Sequence, residues 1–418
     1  MKKTINKFFI LLIIILVSIF TGYENPNLVE VPKKYINYTL KKIGLKDSFV
    51  NKKVDNDKLN KLENEKEDFK ELSANSFSLI FSKVKSYSGK TASLIINNNN
   101  NNNKTDYEIF TRNGLLIKNE NTSEINLPLL FYNERDGGVK SVFTINDEYF
   151  ALISLKKFSC LYAALIHLKS GKKIIESKCL PDKKKVDFGG LGGAYVKNNN
   201  NILLTIGTPT HQSEEISALA QSKNSIFGKV LLIKNETLLS PGDSDQNYEI
   251  FSLGHRNPQG LVLYKKNIFS LEHGPQGGDE LNEIIKGKNY GWPIVSLGTK
   301  YNNGKSFSRS HSKYNFKEPI YAFLPAVAPS SLNVCPENLS TYYQNNICLM
   351  GLSLRGGSII IFIINKNNIL NIEKISFKKR LRHFGLDKSG KLFFDKESYF
   401  YITADNDGLY KVKFSKFR

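Results

Sequence analysis

From residue 107 onward the chain is a succession of short apolar runs, each stopped by Gly, Pro, Asn, Asp or Lys before a long helical face can develop. The runs include Tyr149–Leu155, Tyr162–Leu168, Ile202–Ile206, Val230–Ile233, Gly260–Tyr264 and Ile268–Leu271. Ile347–Met350, Ser358–Ile364, Lys391–Phe394, Ser398–Thr403 and Leu409–Val412 follow. Runs of this length, rich in Ile, Val, Tyr and Phe, read as strands. The 20 Tyr and 27 Phe beside one Trp point the same way. The one helical piece is Glu214–Gln221, opened by Ser213 as its cap. About 300 residues of short antiparallel strands fit six four-stranded blades of roughly 45 to 50 residues, a six-bladed β-propeller of all-β class. No crisp blade-to-blade repeat is visible, so spacing alone leaves a double sandwich open.

The N-terminal part is different. Residues 1–27 begin with Lys2, Lys3 and Lys7, continue through an apolar run from Phe8 to Phe20 and end in polar Thr21–Glu24. This is a secretory signal in outline, with an uncleaved membrane anchor as the alternative, because no A-x-A site follows. Either reading puts the later residues outside the cytoplasmic membrane, periplasmic or secreted. Residues 28–106 are charged and Asn-rich, with Lys58–Glu71 and the run Asn97–Asn103, and are expected to be a weakly structured lead-in. Within them Phe77–Ile96 alternates enough for a strand pair that closes or covers the main domain, placed at 107–415.

Four cysteines fall as two local pairs, Cys160 with Cys179 and Cys335 with Cys348. Three connectivities are possible, and the local one is favoured because Ser170–Gly171 marks a turn between Cys160 and Cys179. Four free buried thiols are the alternative, and no C-x-x-C accompanies a His pair as a zinc site requires. Lys and Arg outnumber Asp and Glu by 59 to 39. The excess is mostly Lys spread along the chain, so a nucleic-acid partner is not expected. There is no G-x-S-x-G elbow, no H-E-x-x-H and no P-loop lysine, and GGLGGA lacks the strand–helix frame of a dinucleotide site.

The densest signal is Ser252–Tyr301, where SLGHRNPQG, LEHGPQGGDELN and GKNYGWPIVSLGTKY follow one another. In order and spacing these phrases resemble the soluble quinoprotein glucose/sorbosone dehydrogenases. EPIYAFLPAVAPSSL at 318–332, GLSLRGG at 351–357 and KRLRHFGLDKSG at 379–390 resemble further segments of that family. The resemblance implies a six-bladed propeller that binds pyrroloquinoline quinone (PQQ) and calcium, oxidises a small-molecule sugar at its anomeric carbon and passes electrons to an external acceptor. It places Arg256, Asn257, Arg355, Arg380 and Arg382 against the quinone, Tyr321 on the wall of the site, and Asp136 where the family has Gln. Arginine suits a planar tricarboxylate, since its fork binds carboxylate at two points and stacks on rings. Arg380 and Arg382, two apart, should point the same way. Gly274 and Pro275 match the family's carbonyl donors to calcium (Ca2+), and Glu280 with Tyr290 match a second calcium position. Asp279 and Glu280 also suit ordinary loop capping.

The resemblance fails where it matters most for chemistry. The family's base is a His, and the counterpart segment VDFGGLGGAYV at 186–196 has none. Asp187 takes the His position if the glycines are aligned; otherwise Phe188 stands in its place. Leu191 or Gly192 replaces the following Arg, and Ala326 replaces a Thr. Three readings follow: Asp187 is the base, raised by desolvation; His211 in GTPTHQSEE swings in; or the propeller is catalytically degenerate and binds a carbohydrate or acidic ligand. His255 and His273 are expected to support neighbours by hydrogen bonding.

Overall fold

A computed structural model describes residues 68–98, 105–242, 247–344 and 346–417. Six antiparallel sheets follow one another. Their innermost strands, Thr91–Asn98, Val139–Ile145, Gly192–Asn198, Asn257–Tyr264, Pro329–Val334 and Leu381–Phe384, neighbour each other in a closed cycle. The chain is therefore a six-bladed propeller, and the double sandwich is excluded. An apolar cluster fills each junction between adjacent blades. Because a blade is covered on both faces, central strands such as Val139–Ile145 and Ser358–Asn365 are buried almost throughout, and Ile359–Ile364 reads as a continuous apolar run. Burying each of the Ile359–Ile364 side chains contributes about 1.5–3 kcal/mol relative to exposure. Outer strands such as Asn121–Glu124 are fully exposed and polar.

Two expectations change. The lead-in does not end at 106: Ser78–Ser86 pairs with the C-terminal strand Gly408–Ser415, and Lys70–Ser73 adds outside it. The last blade is thus closed by both ends of the described chain, through pairs such as Leu79 with Phe414 and Phe81 with Val412. Thr91–Asn98 belongs to a different sheet, paired with Thr105–Thr111, so Phe77–Ile96 holds two strands that do not pair with each other. Lys391–Phe394 forms no strand, because the preceding segment is folded back on Asp387, whose carboxylate accepts from Lys391 N at 2.9 Å. The predicted segment 1–27 lies outside the described residues.

The helical expectation holds. Ser213 Oγ accepts from Ile216 N at 3.3 Å, capping Glu214–Ala218, and a 3-10 turn continues to Gln221. Short helices at Asn235–Leu239 and Glu337–Tyr342 were not foreseen. Both local disulfides form, with Cα separations of 5.2 Å for Cys160–Cys179 and 5.4 Å for Cys335–Cys348. The first lies beside the pairing of Leu180–Pro181 with Cys160–Leu161.

Candidate active site at the propeller mouth

Antiparallel order decides which residues can meet. Each innermost strand starts at one end of the axis and the second strand returns, so the segments feeding first strands and the loops joining second to third strands gather at one rim. Lys90, Asp136, Asp187, Arg256 and Arg380 lie on feeding segments. Arg112, His211, Gly274–Gly278, Arg355 and Asp405 lie on second-to-third loops.

Arg256 is the centre of one group. Its buried guanidinium donates to the His273 carbonyl and to Nδ1 of His211, both at 3.2 Å. It also sits 5.4 Å from the Trp292 ring centre and 5.9 Å from that of Tyr301, within cation–π range. Its buried Nε has no partner. Asn257 is less free than expected: Oδ1 accepts from Gly192 N at 3.1 Å and Nδ2 donates to Gly189 O at 3.3 Å. Its amide therefore holds the glycine segment in place. Glycine is required there, because a Cβ on Gly190 would lie 2.3 Å from Thr208 O.

Arg382 anchors a second group. Its Nε donates to both Asp405 oxygens at 3.1 and 2.9 Å, and NH1 reaches Gln259 Oε1 at 3.3 Å. That contact joins the sixth blade to the fourth across the axis, closing the mouth from an axial cavity of about 450 Å³ beneath. Arg112 lies close by; burial first, then the charge of Arg382, pushes it down to about 10. Arg380 acts on Arg112 in the same sense, although it is exposed while Arg382 is buried. Lys140, buried, donates to the carbonyls of Asp136 and Phe188 at 3.0 and 2.8 Å. Burial and Arg112 push it well below the ordinary lysine range. Asp136 pairs closely with Lys90 and faces Arg112 at 3.8 Å. Arg355 is exposed in the turn before Gly356, with no ion-pair partner among the described residues.

Asp187 is where the resemblance was weakest, and its surroundings change the expectation. Phe188 points into the core against Tyr132, so it offers nothing to the mouth. Asp187 Oδ1 accepts from Gly189 N at 2.7 Å, and Oδ2 lies 3.0 Å from His211 Nε2. Burial pushes this carboxyl up, but His211 and the Gly189 N–H outweigh it and leave it below the ordinary range. The expected upward shift is absent, because the carboxylate is bonded on both oxygens. His273 is pushed down to about 3 by burial and then Arg256, which leaves it a poor base. His255, fully buried, bonds Ser252 at 2.9 Å and Glu272 at 3.2 Å, in the supporting role expected.

Gly274 and Pro275 form the rim of the fourth blade. Asp279 accepts from Gly274 N at 3.0 Å and from Val327 N and Ala328 N at 2.7 Å each, tying their loop to the fifth blade. Among the described residues no donor meets the Gly274 and Pro275 carbonyls. Glu280 and Tyr290 line one small cavity with Glu272. Burial and Glu272 raise Glu280 well above its ordinary range, and Asn282 Nδ2 donates to both carboxyls. The Tyr290 hydroxyl is used elsewhere, donating to Glu283 O. Tyr321 is not brought in: it lies on the outermost strand of its blade and packs on Phe323 at 4.9 Å. Sequence reading missed Arg112, Lys140, Gln259 and Asp405; of these only Gln259 carried a signal, its place inside SLGHRNPQG.

Residues 166–402 match the family described as Glucose / Sorbosone dehydrogenase. The chain belongs to that family. It is 32% identical over 205 residues to the uncharacterized protein slr1608 of Synechocystis, covering 47% of this chain and 48% of the relative. It is 35% identical over 112 residues to quinoprotein glucose dehydrogenase B of Acinetobacter calcoaceticus, covering 26% and 22%. These matches span about half or less of the curated relatives' length. The soluble aldose sugar dehydrogenase of Escherichia coli in its apo-form superposes with a TM-score of 0.63 over 80% of this chain and 99% of the other, at 18% identity. At that identity the likeness is one of fold.

Proposed function

We propose that this family member oxidises an aldose at its anomeric carbon with PQQ and calcium, and that it does so outside the cytoplasmic membrane behind residues 1–27 as export signal or anchor. The observation that carries the reading is the charge at the mouth. Lys90, Arg112, Lys140, Arg256, Arg380 and Arg382 gather there against the carboxylates of Asp136, Asp187 and Asp405. The surplus cations, with buried Nε atoms of Arg112 and Arg256 left without partners, suit a planar ligand bearing three carboxylates.

Arg256, braced on the Trp292 and Tyr301 rings, would meet the ligand through its guanidinium, while Arg382, Arg380, Arg112 and Arg355 would meet carboxylates. The open carbonyls of Gly274 and Pro275 are hard oxygen donors of the kind calcium takes. When bound, the quinone supplies a two-electron acceptor for hydride, polarised by the metal. The protein's own part is to orient the sugar, exclude water with the Arg382–Gln259 contact and accept the hydroxyl proton. Two disulfides suit an oxidising compartment.

The test is to add PQQ and calcium to purified protein and follow the quinone absorbance, then dye reduction with a panel of aldoses. No absorbance change removes the proposal. Quinone binding without turnover of any aldose favours the binding module, the reading that buried Phe188 in place of the family His supports.

A further inference from the structure

Resting on the reading above, we infer that His211, positioned by Asp187, is the proton acceptor for the sugar hydroxyl. The family's imidazole is absent from the segment feeding the third blade. His211 occupies the facing loop of the same blade, 24 residues after Asp187, and the fold brings the two into contact. Its Nε2 lies 3.0 Å from Asp187 Oδ2 and its Nδ1 3.2 Å from Arg256 NH2.

A guanidinium can only donate, so Nδ1 carries the lone pair and Nε2 the hydrogen, which is given to Asp187. A carboxylate fixing the tautomer and balancing the imidazolium is the logic of an activated His base. A sugar hydroxyl would displace the Arg256–Nδ1 hydrogen bond, accepting from the guanidinium and donating its proton to the freed Nδ1 lone pair. With the quinone bound, the C–H electron pair would leave to it as hydride while the carbon–oxygen double bond forms.

This contact is built rather than incidental. Asp187 N donates to Pro209 O at 2.8 Å, and Thr210 Oγ1 donates to Lys185 O at 2.8 Å, pinning the two loops on either side of the pair. Thr208 N is held by Arg256 O at 2.7 Å, and Lys229 Nζ ties down the far end of the loop through the Phe227, Ala220 and Leu219 carbonyls. His211 is also reachable: its side chain is 39% exposed and borders a cleft of about 490 Å³ walled by Trp292, Tyr301 and Phe307. Flat aromatic walls and sugar-sized volume suit a pyranose.

The experiment compares wild type, His211→Asn, His211→Gly and Asp187→Asn, each loaded with PQQ and calcium. Quinone binding by absorbance should be unchanged in the His211 variants, while kcat falls about 10²–10⁴-fold. Added imidazole should restore turnover to His211→Gly. In the unloaded protein, the ring nitrogen NMR shifts of His211, assigned by their loss in His211→Asn, should change in Asp187→Asn, because the Nε2 hydrogen loses its charged acceptor. Arg256, which donates to the other ring nitrogen, is the same in both. Retained kcat in His211→Asn overturns the assignment while leaving the sugar dehydrogenase reading intact. Unchanged ring nitrogen shifts in Asp187→Asn remove the positioning role. A wild type inert toward every aldose overturns both readings together.

Discussion

Asp405→Asn tests whether the mouth is as dry as its packing implies. Asp405 and Arg382 are 1% and 4% exposed at their side chains, and Asp405 also accepts from Thr91 N at 3.1 Å. Removing the charge leaves a buried guanidinium uncompensated, which costs about 3–5 kcal/mol. With an unfolding entropy of about 2.1 cal/mol/K per residue, a domain of roughly 350 residues loses about 4–7 °C in Tm for that change. The pH dependence gives a second check. Burial pushes the Asp405 carboxyl up, but Arg382 outweighs it and holds the folded value below the ordinary 3.8. Its contribution is therefore fully present above that value and is lost as pH falls through the depressed folded one. The gap between wild type and variant should be constant from about pH 5 to 8 and narrow below about pH 4. Thermal unfolding followed by circular dichroism across that range measures both. PQQ should raise the variant's Tm by more than the wild type's, because a ligand carboxylate then replaces the lost partner. A loss under about 1 kcal/mol, or a gap that does not narrow in acid, would refute the dry ion pair.

Arg355→Gln should leave the unfolding free energy within about 0.5 kcal/mol of wild type, as an exposed side chain with no ion pair among the described residues, yet weaken quinone binding about tenfold in an absorbance titration. Calcium should raise Tm by less in Glu280→Gln than in wild type, and the metal-free variant should be at least as stable as wild type because two buried carboxyls no longer face each other; scanning with and without chelator decides it. Replacing Cys335 and Cys348 together by Ser opens a loop with a sequence separation of 13 and should cost about 3 kcal/mol in denaturant unfolding.

What the sequence reveals about this chain follows from how each part is buried. Central blade strands are covered on both faces, so they appear as unbroken apolar runs and the propeller is legible from them. The closing strand Ser78–Ser86 is legible as a strand from its alternation, but its partner is not, because that partner lies more than 300 residues away in sequence. The arginines of the mouth are legible because they sit inside distinctive phrases. Arg112 and Asp405 sit in plain turns, and only the register of distant strands brings them to Arg382. Tyr321 misled for the converse reason: its phrase matches, but its strand is the outermost of the blade.

The apparent loss of the base has the same origin. A motif is read along the chain, whereas the mouth is assembled from two positions per blade, the feeding segment and the loop after the second strand. In the third blade these are Asp187 and His211, which antiparallel pairing of Gly192–Asn198 with Asn201–Ile206 returns to the same rim. An imidazole can move from one position to the other while the carboxylate, the arginines and the glycine segment stay where they are. Phe188 can then serve the core between the second and third blades, where it is fully buried. If His211 is the proton acceptor proposed above, the scaffold phrases need not change for it.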